Sequence, residues 1–122
     1  MAHHSRMLCV DDNKELLAHL VEQFTYEDFD VDTAEDGEVA LKKILENDYD
    51  IVLLDMKMPK MGGMEVLQEL KKFNKNPYII MLTGVNEVSS AEECVKLGAK
   101  DYISKPYDPG DLLDVVIKVL GS

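Results

Sequence analysis

The chain places chemically active side chains directly after short apolar runs. Asp11 and Asp12 follow the run that starts at Met7, Asp55 follows a second run, and Lys105 follows a third. If these runs are neighbouring parallel strands, their carboxyl ends share one sheet edge and the four side chains share one pocket. Two carboxylates about 4 Å apart repel by about 4 kcal/mol at an effective dielectric of about 20, so this pocket needs a cation. A few hard oxygen ligands suit Mg²⁺, or Mn²⁺ in its place, and predict metal-assisted phosphoryl chemistry.

The apolar pattern predicts the elements that carry these residues. Short continuous apolar runs alternate with longer segments of helical spacing, which is typical of strands buried on both faces and joined by crossover helices. The first helix has a stripe that includes Leu17, Leu20 and Phe24, and the last has Leu112, Val116 and Ile117 on one face after an Asp108 cap. The predicted strands span residues 6–10, 29–33, 50–54, 78–82 and 101–104.

Five β-α units with right-handed crossovers predict an α/β fold, a flavodoxin-like (βα)5 doubly wound parallel sheet in the order 2-1-3-4-5. That order sets the first and third strands side by side. Ligands of such sheets bind beyond the carboxyl ends of the strands at this switch point, where Asp11, Asp12 and Asp55 would meet. Thr83 and Lys105 would line the same edge.

Length and charge exclude several classes of protein. The 122 residues suffice for one domain, which we assign to residues 7–122. Residues 1–6 are interpreted as a leader, an expression remnant with two histidines, plus the start of the first strand. A net charge of −11 argues against direct contact with nucleic acid, which requires clustered Lys and Arg. No apolar run reaches the roughly 20 residues of a membrane span, so we expect no membrane contact and a cytoplasmic protein.

Four motifs in a fixed order carry a family resemblance. They are Asp11-Asp12, Asp55 with Met58-Pro59 beyond it, Thr83-Gly84, and the segment 98–106 that ends in Lys105-Pro106. An acidic pair alone is common in helix caps and turns. All four together make the chain resemble the receiver domains of two-component response regulators over residues 7–120.

The resemblance implies a phosphoacceptor domain that is not an enzyme in the usual sense. Asp55 would accept a phosphoryl group from a sensor histidine kinase or a histidine phosphotransfer protein. Asp12 would ligate Mg²⁺ directly and Asp11 largely through water, joined by Asp55 and the main-chain carbonyl of Lys57. Lys105 would pair with the phosphoryl group as a point charge.

The resemblance also implies a switch. After transfer, the Thr83 hydroxyl would turn toward the phosphoryl group and Tyr102 would become more buried, which changes the face made by the fourth helix, fifth strand and fifth helix. A downstream output domain or partner protein would bind that face. The family also has a cis peptide at Lys105-Pro106. Val85 occupies a position that bears on water access in this family, and we expect it to disfavour water and lengthen the phosphorylated lifetime.

Three other functions stay in competition at this stage. A metal-dependent phosphatase would use Asp55 as nucleophile, but its second carboxylate would fall at Lys57, which cannot act as that acid. A flavin-binding module would need a phosphate loop where Asp11 and Asp12 instead repel phosphate. A receiver-like module could bind partners without phosphorylation. The cognate kinase, pathway, output, oligomeric state and phosphorylated lifetime are left open by the sequence, as is whether the chain stands alone or is part of a multidomain regulator.

Overall fold

The structure, a computed structural model, describes residues 5–121. Five strands form one parallel sheet in the order β2-β1-β3-β4-β5. The strands are β1 Arg6–Val10, β2 Asp30–Ala34, β3 Ile51–Asp55, β4 Tyr78–Thr83 and β5 Asp101–Ser104. The helices are α1 Lys14–Tyr26, α2 Gly37–Glu46, α3 Gly63–Lys72, α4 Val88–Lys96 and α5 Pro109–Leu120, with a 3₁₀ turn at Val85–Glu87 before α4. The flavodoxin-like prediction is therefore confirmed.

The strand register brings the expected carboxyl ends together. β1 lies between β2 and β3, and Val10 pairs with Leu54 in the neighbouring strand. On the other side of β3, Asp55 is in register with Leu82 of β4. Asp11 and Asp55 therefore leave adjacent strands at the same edge of the sheet, as the 2-1-3-4-5 order predicts.

Helices cover both faces of the sheet, which explains why the central strands are apolar throughout. Alternate residues of β1 point to opposite faces: Leu8 and Val10 pack with α2, α3 and α4, whereas Met7 and Cys9 pack with α1 and α5. The four β3 residues before Asp55 are fully buried. Because a central strand cannot slip along its neighbours without disrupting the packing on both faces, the sheet fixes the position of the residues at its edge.

Helix ends follow the cap residues of the sequence. Asn13 Oδ1 accepts hydrogen bonds from the amides of Glu15 and Leu16 at the start of α1. Asp108 caps α5 through the amide of Gly110, with proline in the first turn. After α4, Gly98 takes a φ of 124°, a conformation that favours glycine.

Details of the elements differ from the sequence predictions. β2 and β3 each run one residue later than expected, and β4 extends one residue further, to Thr83. Ile117 was expected on the buried face of α5 but is 57% exposed, whereas Val119 is buried. Compared with the predicted stripe, the helix is rotated about its axis so that Leu112, Val116 and Val119 face the sheet. That rotation depends on packing, not on spacing alone.

The termini and the cysteines complete the fold. Of the predicted leader, residues 1–4 with both of its histidines lie outside the described residues, and Arg6 begins β1. Cys9 and Cys94 are buried free thiols. Among residues 5–121, none of the helices combines the length and apolarity of a bilayer span.

Candidate functional site

One lysine joins two of the predicted acidic residues. The Lys105 ammonium donates to Asp11 Oδ2 at 2.7 Å and to Asp55 Oδ1 at 3.1 Å. Asp11 and Asp55 are buried, with 1% and 7% of their surface exposed. Buried carboxylates require compensation of this kind, and Lys105 is itself partly buried. The structure thus brings together three side chains that are far apart in the sequence.

Backbone hydrogen bonds explain why the side chains converge. The Asp11 amide donates to Ala34 O at 3.1 Å, and Asp11 Oδ1 accepts from the Asn13 amide at 3.0 Å. At the ends of β4 and β5, the Lys105 amide donates to Thr83 O at 2.7 Å. The sheet ladder therefore extends into the loops after β1 and β5, which limits the freedom of both residues. Lys105-Pro106 is a cis peptide, as the resemblance implied.

The start of α3 approaches the end of β3 closely enough to require glycine. The Gly63 amide donates to Met56 O at 3.0 Å, and the Met56 amide donates to Leu82 O at 3.0 Å. A Cβ on Gly63 would overlap the carbonyl oxygen of Asp55. Gly63 therefore allows the start of α3 to lie close to Asp55.

The acidic cluster fits a small hard cation. Carboxylate oxygens of Asp11, Asp12 and Asp55 all lie within 4.8 Å of one another. Asp12 is exposed, unlike its two partners, so water can reach the cluster from that side. Asp12 and Lys57 line the same open cavity of about 520 Å³. Oxygen donors in small number with room for water are what Mg²⁺ prefers.

Burial and like charge dominate the electrostatics of the cluster. Burial, followed by the charge of Asp11, raises the pKa of Asp55 to about 6, although Lys105 acts in the opposite direction. Burial alone would lower the pKa of Lys105, but its hydrogen bond to Asp11 and the charges of Asp55 and Asp11 raise it. The lysine is therefore charged at neutral pH, and it only partly compensates the carboxylates.

The remaining predicted residues lie around this cluster. Thr83 ends β4 and is fully buried, and its hydroxyl donates to Gly84 O at 3.1 Å. Tyr102 is half-buried in the edge strand β5 and packs against the core on the α2–α4 side. The Lys57 side chain is 84% exposed and pairs with Glu87. Val85 is 71% exposed in the 3₁₀ turn.

Sequence reasoning missed three residues beside the site. Glycine at the first position of α3 carried no visible signal, because the need for Gly63 arises from the close approach of α3 to the end of β3, which no local pattern shows. Tyr107 follows the Lys105-Pro106 motif, and burial with the charges of Asp11, Cys9 and Asp55 raises its pKa to about 12. Glu87 stands three residues after Gly84, a spacing typical of a turn cap that could have been noticed.

Comparison with known proteins gives a consistent assignment. A family model described as "Response regulator receiver domain" matches residues 7–117. The chain is 34% identical over 116 residues to the chemotaxis protein CheY of Halobacterium salinarum, and the match covers 94% of this chain and 96% of that protein. It is 32% identical over 116 residues to the response regulator ArlR of Staphylococcus aureus, covering 95% of this chain. The chain spans about half of that relative, 52%.

Solved structures show the same similarity in three dimensions. A response regulator receiver domain protein from Clostridium thermocellum superimposes with a TM-score of 0.89 at 31% identity, covering 96% of this chain and 94% of that one. A CheY-like receiver domain protein from Methanospirillum hungatei superimposes with a TM-score of 0.90 at 30% identity, covering 98% and 95%. Fold and sequence therefore agree over almost the whole chain.

Proposed function

This chain belongs to the receiver domains of two-component response regulators, and on that premise we propose that Asp55 is its phosphoacceptor. The observation that carries the proposal is the contact of Lys105 with both Asp11 and Asp55 at the carboxyl edge of the sheet. A lysine held there by two carboxylates is also held where the oxygens of an incoming phosphoryl group would need a positive charge.

The proposed reaction is a transfer from phosphohistidine to Asp55. A carboxylate oxygen of Asp55 attacks phosphorus, the P–O bond forms as the P–N bond breaks, and the leaving imidazole takes up a proton. In the described part of the chain, the hydrogen bonds of the Asp55 carboxylate use Oδ1, which leaves Oδ2 for the attack. Lys105 orients the carboxylate and offsets negative charge as the phosphoryl group arrives.

The acidic cluster is the proposed site of Mg²⁺, or of Mn²⁺. Asp12, Asp55 and the main-chain carbonyl of Lys57 would hold the ion, with Asp11 contributing largely through water. The mutual approach of the three carboxylates supports this assignment. When bound, the ion would neutralise phosphoryl oxygens and relieve carboxylate repulsion. The burial of Asp55 keeps most of the bulk water away from the reacting atoms.

The proposed switch links Thr83 to the surface around β5. The Thr83 hydroxyl donates to Gly84 O, so turning toward a phosphoryl group would break that contact and let the turn after β4 move. Tyr102 would then become more buried. Val95 on α4 and Ile117 on α5 are exposed apolar side chains near the expected output face. Such residues favour a binding role for this α4-β5-α5 surface.

The proposed partners are a sensor histidine kinase or a histidine phosphotransfer protein as donor, and an output domain or partner protein as receiver of the signal. ArlR contains a further half beyond the matched region, which shows that a receiver can be joined to another segment. We place the exchange in the cytoplasm, where the nucleotide and acyl phosphate donors of such systems are made.

The test is phosphoryl uptake measured by intact-mass spectrometry. The protein is incubated with acetyl phosphate and Mg²⁺, beside Asp55→Asn and a sample with a chelator in place of metal. The proposal expects one hydroxylamine-labile phosphoryl group that requires both Asp55 and the metal. No uptake by folded protein that binds Mg²⁺ in calorimetry would instead favour a partner-binding module that works without phosphorylation.

A further inference from the structure

A glutamate joins the two loops that flank Asp55. Glu87 Oε1 accepts from the Gly84 amide at 3.1 Å, and Glu87 Oε2 lies 3.1 Å from the Lys57 ammonium. Gly84 directly follows Thr83 at the end of β4, and Lys57 lies two residues beyond Asp55 at the end of β3. The Glu87 side chain is only 17% exposed and the Lys57 side chain is 84% exposed, so the carboxylate is largely out of water and the ammonium is not.

Capping of the 3₁₀ turn accounts for only one of these contacts. A glutamate three residues after the cap position commonly accepts a hydrogen bond from the cap amide, and Oε1 does so here. Oε2 is buried and accepts no hydrogen bond of favourable geometry within residues 5–121, although Lys57 lies close. A carboxylate oxygen removed from water needs compensation, which here comes from the lysine charge.

Lys57 stands where its charge matters to the acidic cluster. Lys57 and Asp12 line the same open cavity, and the Lys57 side chain is long, flexible and 84% exposed. Without Glu87, the ammonium would be free to turn toward Asp12 at that opening and toward the rest of the acidic cluster, in which Lys105 contacts Asp11 and Asp55. A lysine bound there would compete with a divalent ion for the same oxygens.

We propose that Glu87 is a positioning residue for the metal site: it holds the Lys57 ammonium on the β4 side of the cavity and so leaves the acidic cluster free for Mg²⁺. The inference deepens the proposed function and rests on it. It assigns to Glu87 a role that acts through Lys57, with no contact to the ion.

The experiment is a calorimetric Mg²⁺ titration of four proteins near neutral pH: wild type, Glu87→Gln, Lys57→Met and the double variant. Glutamine keeps an acceptor for the Gly84 amide, so the turn cap survives while the ion pair is lost. Because an ion pair with one exposed partner is weak, Glu87→Gln should weaken Mg²⁺ binding by about three- to fivefold. In the Lys57→Met background the same substitution should change the affinity by less than about twofold.

Two controls separate this effect from a general loss of charge. Lys57→Arg keeps a cation for Glu87 and should bind Mg²⁺ like wild type. Asp48→Asn removes one negative charge from a pair with Lys75, 3.0 Å apart, and should leave the affinity unchanged. Thermal unfolding with chelator present checks that every variant is folded.

The outcomes are distinct. An equal loss of affinity from Glu87→Gln with and without Lys57 would overturn the proposal, because the glutamate would then act by its field alone. An unchanged affinity in the single variant would also overturn it. Failure of wild type to take up phosphate, with this coupling intact, would reject the proposed function but not the role of Glu87 in cation binding.

Discussion

Neutralising Asp55 should stabilise the metal-free protein. Its carboxylate is ionised at neutral pH despite a pKa raised from 3.8 to about 6, chiefly by burial and then by the charge of Asp11. A shift of about 2 units corresponds to about 3 kcal/mol at about 1.36 kcal/mol per unit. Asp55→Asn removes that charge but also weakens the hydrogen bond from Lys105. We therefore expect a net gain of about 1–2 kcal/mol, or roughly 4–10 °C in melting temperature for a domain of this size.

The sign of the pH dependence follows from the raised pKa. A carboxyl group that binds its proton more tightly when folded gives stability that is fully present below the unfolded pKa of 3.8 and lost as pH rises through about 6. The advantage of Asp55→Asn should therefore be small at pH values near 4 and complete above about 7.

The assay is urea unfolding in a chelating buffer at a series of pH values, for wild type, Asp55→Asn and Asp114→Asn. Asp114 is an exposed carboxylate on α5 and serves as the matched control. Saturating Mg²⁺ should make wild type more stable than Asp55→Asn, since a ligand at about 100 times its Kd adds about 2.7 kcal/mol to a protein whose metal site is intact. The reasoning is refuted if Asp55→Asn is no more stable than wild type at neutral pH, or if the stability difference between the two proteins does not change with pH.

Three further substitutions test the site. Lys105→Met leaves Asp11 and Asp55 without their cation and should lower the free energy of unfolding by about 1–3 kcal/mol at neutral pH. The loss should be smaller near pH 5, where Asp55 is protonated, and an equal loss at both pH values in urea unfolding would contradict this prediction. Gly63→Ala should lower the free energy of unfolding by about 1–3 kcal/mol, because the added Cβ overlaps the Asp55 carbonyl oxygen. The control Gly110→Ala should lower it less in the same measurement, because its Cβ meets only a side-chain oxygen. Val85→Glu should shorten the phosphorylated lifetime severalfold, because the glutamate can hold the attacking water. If mass spectrometry shows that the variant loses its phosphoryl group no faster than wild type, that role for Val85 is wrong.

Local sequence signals were sufficient for the fold and for the meeting of the acidic residues. Uniform apolar runs such as Ile51–Leu54 identify central strands, and parallel strands with crossovers bring Asp11 and Asp55 to one edge. Strand order predicted Lys105 at the same edge, but its contact with both carboxylates is a finding of the structure, because β4 separates β5 from β3 in the sheet.

Other features depend on distances that no local pattern encodes. The rotation of α5 that exposes Ile117 is set by packing against the sheet, since both faces of the helix carry apolar residues. The pair between Lys57 and Glu87 joins loops that are 30 residues apart, and the need for Gly63 arises from the neighbouring strand end. Roles that rest on the family resemblance, such as that of Tyr102, stay predictions.

The most direct test of the central claim is to locate the phosphoryl group. Protein treated with acetyl phosphate and Mg²⁺ is reduced with borohydride, which converts an aspartyl phosphate to homoserine, and the peptides are sequenced by mass spectrometry. The account predicts homoserine at position 55 alone, and none in the chelated sample. Homoserine at Asp11 or Asp12, or unmodified Asp55 in protein that carries phosphate, would contradict it.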